Sequence, residues 1–178
     1  NNSNNNNNKK KKFKKAEIDP EILNQERIEL EKQVADGVEF EIDGSILEGG
    51  GQIMRNTVAL SALLGKSIRV VKIRANRSKP GLKPQHLCGI QLVNRMHDGK
   101  LYGGRVNSSE IVFRPGKLLT NENQFEADTK TAGSICLLIQ VSLPCLIFST
   151  QNVTCVLKGG TNATGAPQID YFTEVLHP

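Results

Sequence analysis

From residue 38 the chain alternates: Val38, Phe40 and Ile42 are apolar, while Glu39, Glu41 and Asp43 are acidic. A period of two predicts a strand with one buried face. After a run of three glycines the period changes. Ile53, Thr57, Leu60 and Leu64 recur at helical spacing, and Gly65 marks the stop. A second strand is predicted over residues 68–73. Leu87, Ile90, Val93 and Met96 define a second helix, closed by Asp98 and Gly99. Further strands are predicted over residues 102–105, 110–114 and 125–129. Residues 132–148 are apolar nearly all round, which predicts a buried helix, with Pro144 as a candidate kink. A strand over residues 153–157 and a helix starting near Pro167 complete the pattern.

The order strand, Gly/Ser loop, helix, strand, basic or Gly-rich loop, helix occurs over residues 38–98 and again over residues 124–176. Gly51 corresponds to Gly133 and Gln85 to Gln168 in this internal repeat. The expected fold class is α+β with α/β-type repeats: βαβα units whose sheets are covered by helices on one face. Residues 37–178 form this repeat domain. Residues 16–36 precede it as a charged helix, with Asp19 as N-cap and Pro20 at the first helical position. Its thin stripe of Leu23, Leu30 and Val34 predicts a mostly exposed helix. Residues 1–15, rich in Asn and Lys, cannot bury enough apolar surface to order themselves.

Charge changes the picture once the tail is set apart. Residues 1–15 hold six of the 23 basic residues and none of the 18 acidic ones, leaving 17 basic against 18 acidic in the rest. Nucleic-acid affinity of the body must therefore come from local clusters. The lysine tail reads as a nuclear-localisation signal, an RNA-attracting arm or a solvated extension. Cys88, Cys136, Cys145 and Cys155 show no metal-binding spacing and read as buried free thiols. No apolar run reaches membrane-spanning length and the N-terminus lacks a signal-peptide core. The expectation is an intracellular protein, nuclear or cytoplasmic, with no membrane partner.

The candidate chemistry gathers where strands end. Glu48-Gly-Gly-Gly-Gln-Ile-Met-Arg55 and Arg74-Ala-Asn-Arg-Ser-Lys-Pro-Gly-Leu-Lys-Pro-Gln-His86 each follow a strand and open a helix. Glycines admit a ligand close to backbone N–H groups, and a helix N-terminus favours anions. The turn is neither a P-loop nor a dinucleotide fingerprint. A tight turn without ligand fits it equally. Glu48 either holds a divalent cation or complements the helix dipole. Arg55, Arg74 and Arg77 suit bidentate phosphate binding. Gln85 and His86 cap the next helix, and His86 either donates to a phosphate or serves only as a cap.

These segments, with Asp128-Thr-Lys-Thr-Ala-Gly-Ser134, Lys158-Gly-Gly-Thr-Asn162 and Ala166-Pro167-Gln-Ile-Asp170, closely resemble RNA 3'-terminal phosphate cyclases over residues 37–178. The resemblance implies repeats like the C-terminal domain of a translation initiation factor. It also implies ATP-dependent conversion of an RNA 3'-phosphate into a 2',3'-cyclic phosphate through adenylated intermediates. Glu48 then looks like the residue for Mg²⁺ or Mn²⁺ and the ATP phosphates. Arg55, Arg74, Arg77, Gln85 and His86 look like the set that binds phosphates and the RNA end, and Gln140 and Pro167 match positions lining the nucleotide site. The family's adenylated histidine falls in a part with no counterpart here, which implies a missing C-terminal half or a partner chain. Two alternatives remain. One is a non-catalytic cyclase-like protein that binds RNA in ribosome assembly. The other is a phosphate-binding module for a small molecule, as in enolpyruvyl transferases.

Overall fold

The computed structural model describes residues 19–46 and 50–176. Helix α1, Pro20–Ala35, starts where the Asp19 carboxylate accepts from the Glu21 N–H at 2.9 Å, with Pro20 in the first turn. Strand β1, Phe40–Asp43, leads to α2, Gly51–Leu64, which ends on Gly65 in the left-handed region at φ 64°. Strand β2, Ile68–Val71, and helix α3, Pro84–Met96, follow. Then come β3, Lys100–Tyr102; β4, Ile111–Arg114; β5, Gln124–Asp128; α4, Ile135–Ile147; and β6, Thr154–Lys158. A short helix α5, Ile169–Tyr171, runs on in wider turns over Phe172–Leu176.

The fold is α+β. One sheet has the order β1-β2-β4-β3, with β1 and β2 parallel and the other two pairings antiparallel; the second is a parallel β5-β6 pair. Each parallel pair is joined by a crossover helix, α2 in one unit and α4 in the other. The expected strand over residues 102–105 is corrected to Lys100–Tyr102. It stops there because Gly103 takes a φ of 68°, where a Cβ would meet Leu30 and the Glu110 carbonyl. The second strand ends at Val71, because Lys72 and Arg74 turn the backbone left-handed.

The core lies where α2, α3 and α4 pack on one another and on the sheets. Val70, Ile111, Phe113, Val93, Met96 and Leu138 are almost wholly buried there. The expected stripe of α2 is corrected: the buried face is Met54, Val58, Ala59, Ser61 and Ala62, while Leu60 is 55 % and Leu64 66 % exposed. Small side chains let neighbouring helices approach closely, so the bulky positions turn outward. The same approach is visible in α3, where a Cβ on Gly89 would stand 3.0 Å from Val141 of α4. Helix α4 runs unbroken through Pro144 and is not buried all round, since Leu143, Ile147 and Phe148 are exposed. Nor are helices confined to one face of the larger sheet. On the far face α1 crosses β3 and β4 above fully buried Val112, held where the Arg114 guanidinium donates to the Gln33 amide oxygen and to the Gln33 and Gly37 carbonyls.

Cys136 and Cys145 are buried, Cys88 and Cys155 half-buried, and no disulfide joins them. Burial pushes the Cys145 thiol up to about 11, so it is inert at neutral pH. Among the described residues no helix is long and apolar enough to cross a membrane.

Candidate anion site at the first glycine turn

The site begins where β1 ends. The Asp43 carboxylate accepts from the Ser45 N–H (2.9 Å) and hydroxyl (2.5 Å), and from the Lys72 ammonium (2.9 Å). The Ser45 bonds first, then Lys72, hold Asp43 down at about 2. Residues 47–49, including Glu48, lie outside the described residues. Gly50 then caps α2 in an extended conformation, and among the described residues no side chain makes a cap hydrogen bond. The first N–H groups of α2 are thus left for a ligand or solvent.

Beyond β2 the chain curls back over this helix end. Lys72 and Arg74 adopt left-handed φ values of 50° and 56°, each costing about 1–2 kcal/mol. The bonds Arg74 N–H to the Gly44 carbonyl and Arg77 N–H to the Arg74 carbonyl fix the curl. Arg77 of the curl and His86 of α3 thereby meet Arg55 of α2 at the backbone of the glycine turn. A Cβ on Gly50 would stand 3.5 Å from an Arg77 terminal nitrogen. A Cβ on Gly51 would stand 2.3 Å from His86 Nε2 and 3.0 Å from Arg55 Nη1. The Nε atoms of Arg55 and Arg74 are buried without a hydrogen-bond partner among the described residues. Desolvation lowers the pKa of both, with Arg77 adding to the effect on Arg74. Buried guanidinium donors beside a helix N-terminus have the chemistry that an oxyanion can satisfy.

His86 is held to one tautomer. Its Nδ1 accepts from the Lys83 N–H at 3.4 Å, so in the neutral ring the proton sits on Nε2, the atom facing Gly51. Burial, then the charges of Arg74, Arg55 and Lys83, lower its pKa to about 4. At neutral pH it is an uncharged donor to an anion. The unfolded chain takes up this proton near pH 6.5 and the folded chain only near 4, so His86 costs stability as pH falls across that window. Chemical denaturation at pH 7 and pH 4.5 should show a loss that shrinks by about 1–3 kcal/mol in His86→Gln. An unchanged loss in that variant means that His86 does not carry the pH dependence.

Gln85 closes the other side. Its Oε1 accepts from the Ser134 N–H at 3.2 Å, which commits the amide oxygen to α4 and leaves the NH₂ as donor. Gly51, Arg55, Gln85, His86, Leu137 and Gly165 line a cleft of about 600 Å³, with Arg74 and Arg77 beside the same glycine turn. Gln140 is exposed on α4, one turn past Leu137, and Pro167 follows Gly165 by two residues; neither lines the cleft itself. Sequence reasoning brought out the charged wall and missed Leu137, Gly165 and Asn56. Leu137 precedes Gln140 by three residues, one helical turn, and that spacing was the available signal.

The corresponding turn of the second βαβ unit is closed. Ile135 N–H donates to the Gly160 carbonyl at 3.0 Å, and a Cβ on Gly159 would stand 2.4 Å from the Gly133 carbonyl. The chain itself occupies the N-terminus of α4. A separate groove of about 550 Å³ beneath α1 has its charges paired internally, Arg69 with Glu110 and Glu41, and Arg105 with Glu26. Among the described residues no three His, Cys, Asp or Glu side chains gather to hold a metal.

The sequence model of the RNA 3'-terminal phosphate cyclases matches residues 46–178. The chain belongs to this family. A probable RNA 3'-terminal phosphate cyclase of Dictyostelium discoideum is 54 % identical over 141 residues, which is 79 % of this chain and 33 % of that protein. RNA 3'-terminal phosphate cyclases of Drosophila melanogaster and Archaeoglobus fulgidus are 46 % and 47 % identical. They cover 78 % and 76 % of this chain, and 38 % and 41 % of their own lengths. This cyclase-family chain therefore spans 33–41 % of the length of these curated relatives.

Proposed function

We propose that this chain supplies the phosphate-binding part of an ATP-dependent RNA 3'-phosphate cyclase, which closes an RNA 3'-phosphate onto the neighbouring 2'-hydroxyl. The observation that carries the reading is the convergence of Arg55 Nη1, an Arg77 terminal nitrogen and His86 Nε2 on the uncapped start of α2. A phosphate held there has its charge neutralised by guanidinium groups and its oxygens bonded to backbone N–H and to the imidazole. Gln85 adds a donor through its NH₂. Gln140 and Pro167, beyond the cleft's far wall, are assigned to the nucleotide, whose base would lie along Leu137. A Mg²⁺ or Mn²⁺ ion at Glu48 would neutralise further phosphate charge.

The two histidines among the described residues, His86 and His97, are poorly suited to carry the adenylyl group. His86 points its proton, not its lone pair, at the site, and His97 is buried at the end of α3, 4 % exposed. A nucleophile from outside this stretch is the consistent reading. The non-catalytic alternative gains no observation of its own.

The test is binding of a short oligoribonucleotide ending in a 3'-phosphate against the same strand ending in a 3'-hydroxyl. The phosphorylated strand should bind about tenfold tighter or better. Arg77→Ala should remove most of that difference, while Lys12→Ala in the tail lowers both affinities alike and only slightly. Equal affinity for the two strands overturns the assignment.

A further inference from the structure

We propose that Asn107, in the loop between β3 and β4, is a positioning residue for the anion site, acting through Lys83 on His86. The inference rests on the proposed phosphate-binding reading and deepens it. Asn107 lies 21 residues beyond His86 and outside the two segments at the first glycine turn. Its backbone is left-handed, with φ 70°, a conformation that Asn tolerates better than most residues. The Oδ1 atom accepts from the Lys83 ammonium at 3.0 Å, and the Pro80 carbonyl accepts from the same ammonium at 2.7 Å. At the other end of the same residue, the Lys83 N–H meets His86 Nδ1. Lys83 is thus gripped at its tip and touches the imidazole with its backbone. Asn107 helps to set where this cation stands, and Lys83 is one of the three charges acting on His86, with Arg74 and Arg55.

The loop is also held by backbone bonds: Asn107 N–H to the Leu82 carbonyl (2.7 Å), Leu82 N–H to the Ser108 carbonyl (2.9 Å) and Ile73 N–H to the Ser109 carbonyl (2.9 Å). These separate the two roles a residue here can have. Asn107→Gly keeps the left-handed φ and all three bonds and removes only the side-chain amide. If the loop alone matters, that variant behaves as the parent. If the Oδ1–Lys83 contact matters, the ammonium loses one of its holds and is less firmly placed. The site then loses a fixed positive charge, and the field on His86 weakens.

The experiment uses the full chain, inorganic pyrophosphate as probe, titration calorimetry for affinity and NMR of the histidine rings for the His86 midpoint. Asn107→Gly should bind pyrophosphate about three- to tenfold more weakly. The His86 midpoint should move upward from about 4 toward its ordinary value. Lys83→Met should weaken binding to a similar extent, and the double variant should be no weaker than the worse single one, since both changes break one interaction. Unchanged affinity and midpoint in Asn107→Gly, or additive losses in the double variant, overturn the proposal. A parent chain that does not bind pyrophosphate overturns the site reading itself, whereas a binding parent with an indifferent Asn107→Gly overturns this inference alone.

Discussion

Gly51→Ala should lose about tenfold or more of the affinity for pyrophosphate or a 3'-phosphorylated strand, while Gly50→Ala, one residue earlier, should change it by less than about twofold. The two glycines are adjacent and both belong to the bare turn, so composition does not tell them apart. The geometry does. Among the described residues, a methyl on Gly50 meets nothing nearer than the Arg77 terminal nitrogen at 3.5 Å, an ordinary contact. A methyl on Gly51 would fall 2.3 Å from His86 Nε2 and 2.8 Å from His86 Cδ2, with Arg55 Nη1 at 3.0 Å. The arginine can swing aside. The imidazole is fixed by its bond to the Lys83 N–H and must be driven out of the position from which it donates. Helix α2 gains slightly from alanine in its first turn, so the fold survives and the loss is read in binding alone. Equal effects at the two positions would separate His86 and Arg55 from the anion.

Gly81→Ala should destabilise the folded chain by about 2–3 kcal/mol, lowering the thermal midpoint by roughly 5–10 °C. Gly81 has φ 76°, and a Cβ there would meet the carbonyl oxygen of Asn107 at 2.4 Å and its carbonyl carbon at 2.7 Å. These are backbone atoms, which cannot rotate away. Gly37 and Gly65 also have positive φ, at 85° and 64°, but nothing stands within 4 Å of a Cβ at either position. Alanine there carries only the conformational cost, about 1 kcal/mol. Thermal melts of the three variants rank them directly. A Gly81→Ala midpoint no lower than those of Gly37→Ala and Gly65→Ala would mean that the Ile73–Lys83 loop yields without cost.

Much of this was legible in the chain because alternation and helical spacing reflect burial. The strand at Phe40, the helix ended by Gly65 and the helix through Ile90, Val93 and Met96 were all read from side-chain period. What escaped were features set by approach distance. Ala59, Ser61 and Ala62 share the buried face of α2 with Met54 and Val58 because small side chains fit a close helix contact, and a reading that weighs bulk assigns that face to Leu60 and Leu64. The charged wall of the cleft was legible because three arginines and two lysines follow strand ends within a short stretch. Its other wall was not, because Leu137 and Gly165 have no chemistry of their own and matter only once α4 is packed beside α2 and α3. Asn107 was illegible for a related reason: its partner, Lys83, lies 24 positions away.

The unequal fate of the two glycine turns gives the cleft a direction. On the first unit the turn is open and ringed by cations; on the second the chain has folded into its own turn, and the facing surface is Leu137 and Gly165. On the proposed reading, a molecule with a charged head and a flat, less polar body has one favoured way to lie here, head on α2 and body along α4. Turned end for end, it would set its phosphate against a leucine and leave the buried guanidinium nitrogens of Arg55 and Arg74 unanswered. Orientation is chosen before any chemistry begins, by an asymmetry between two copies of one architectural plan.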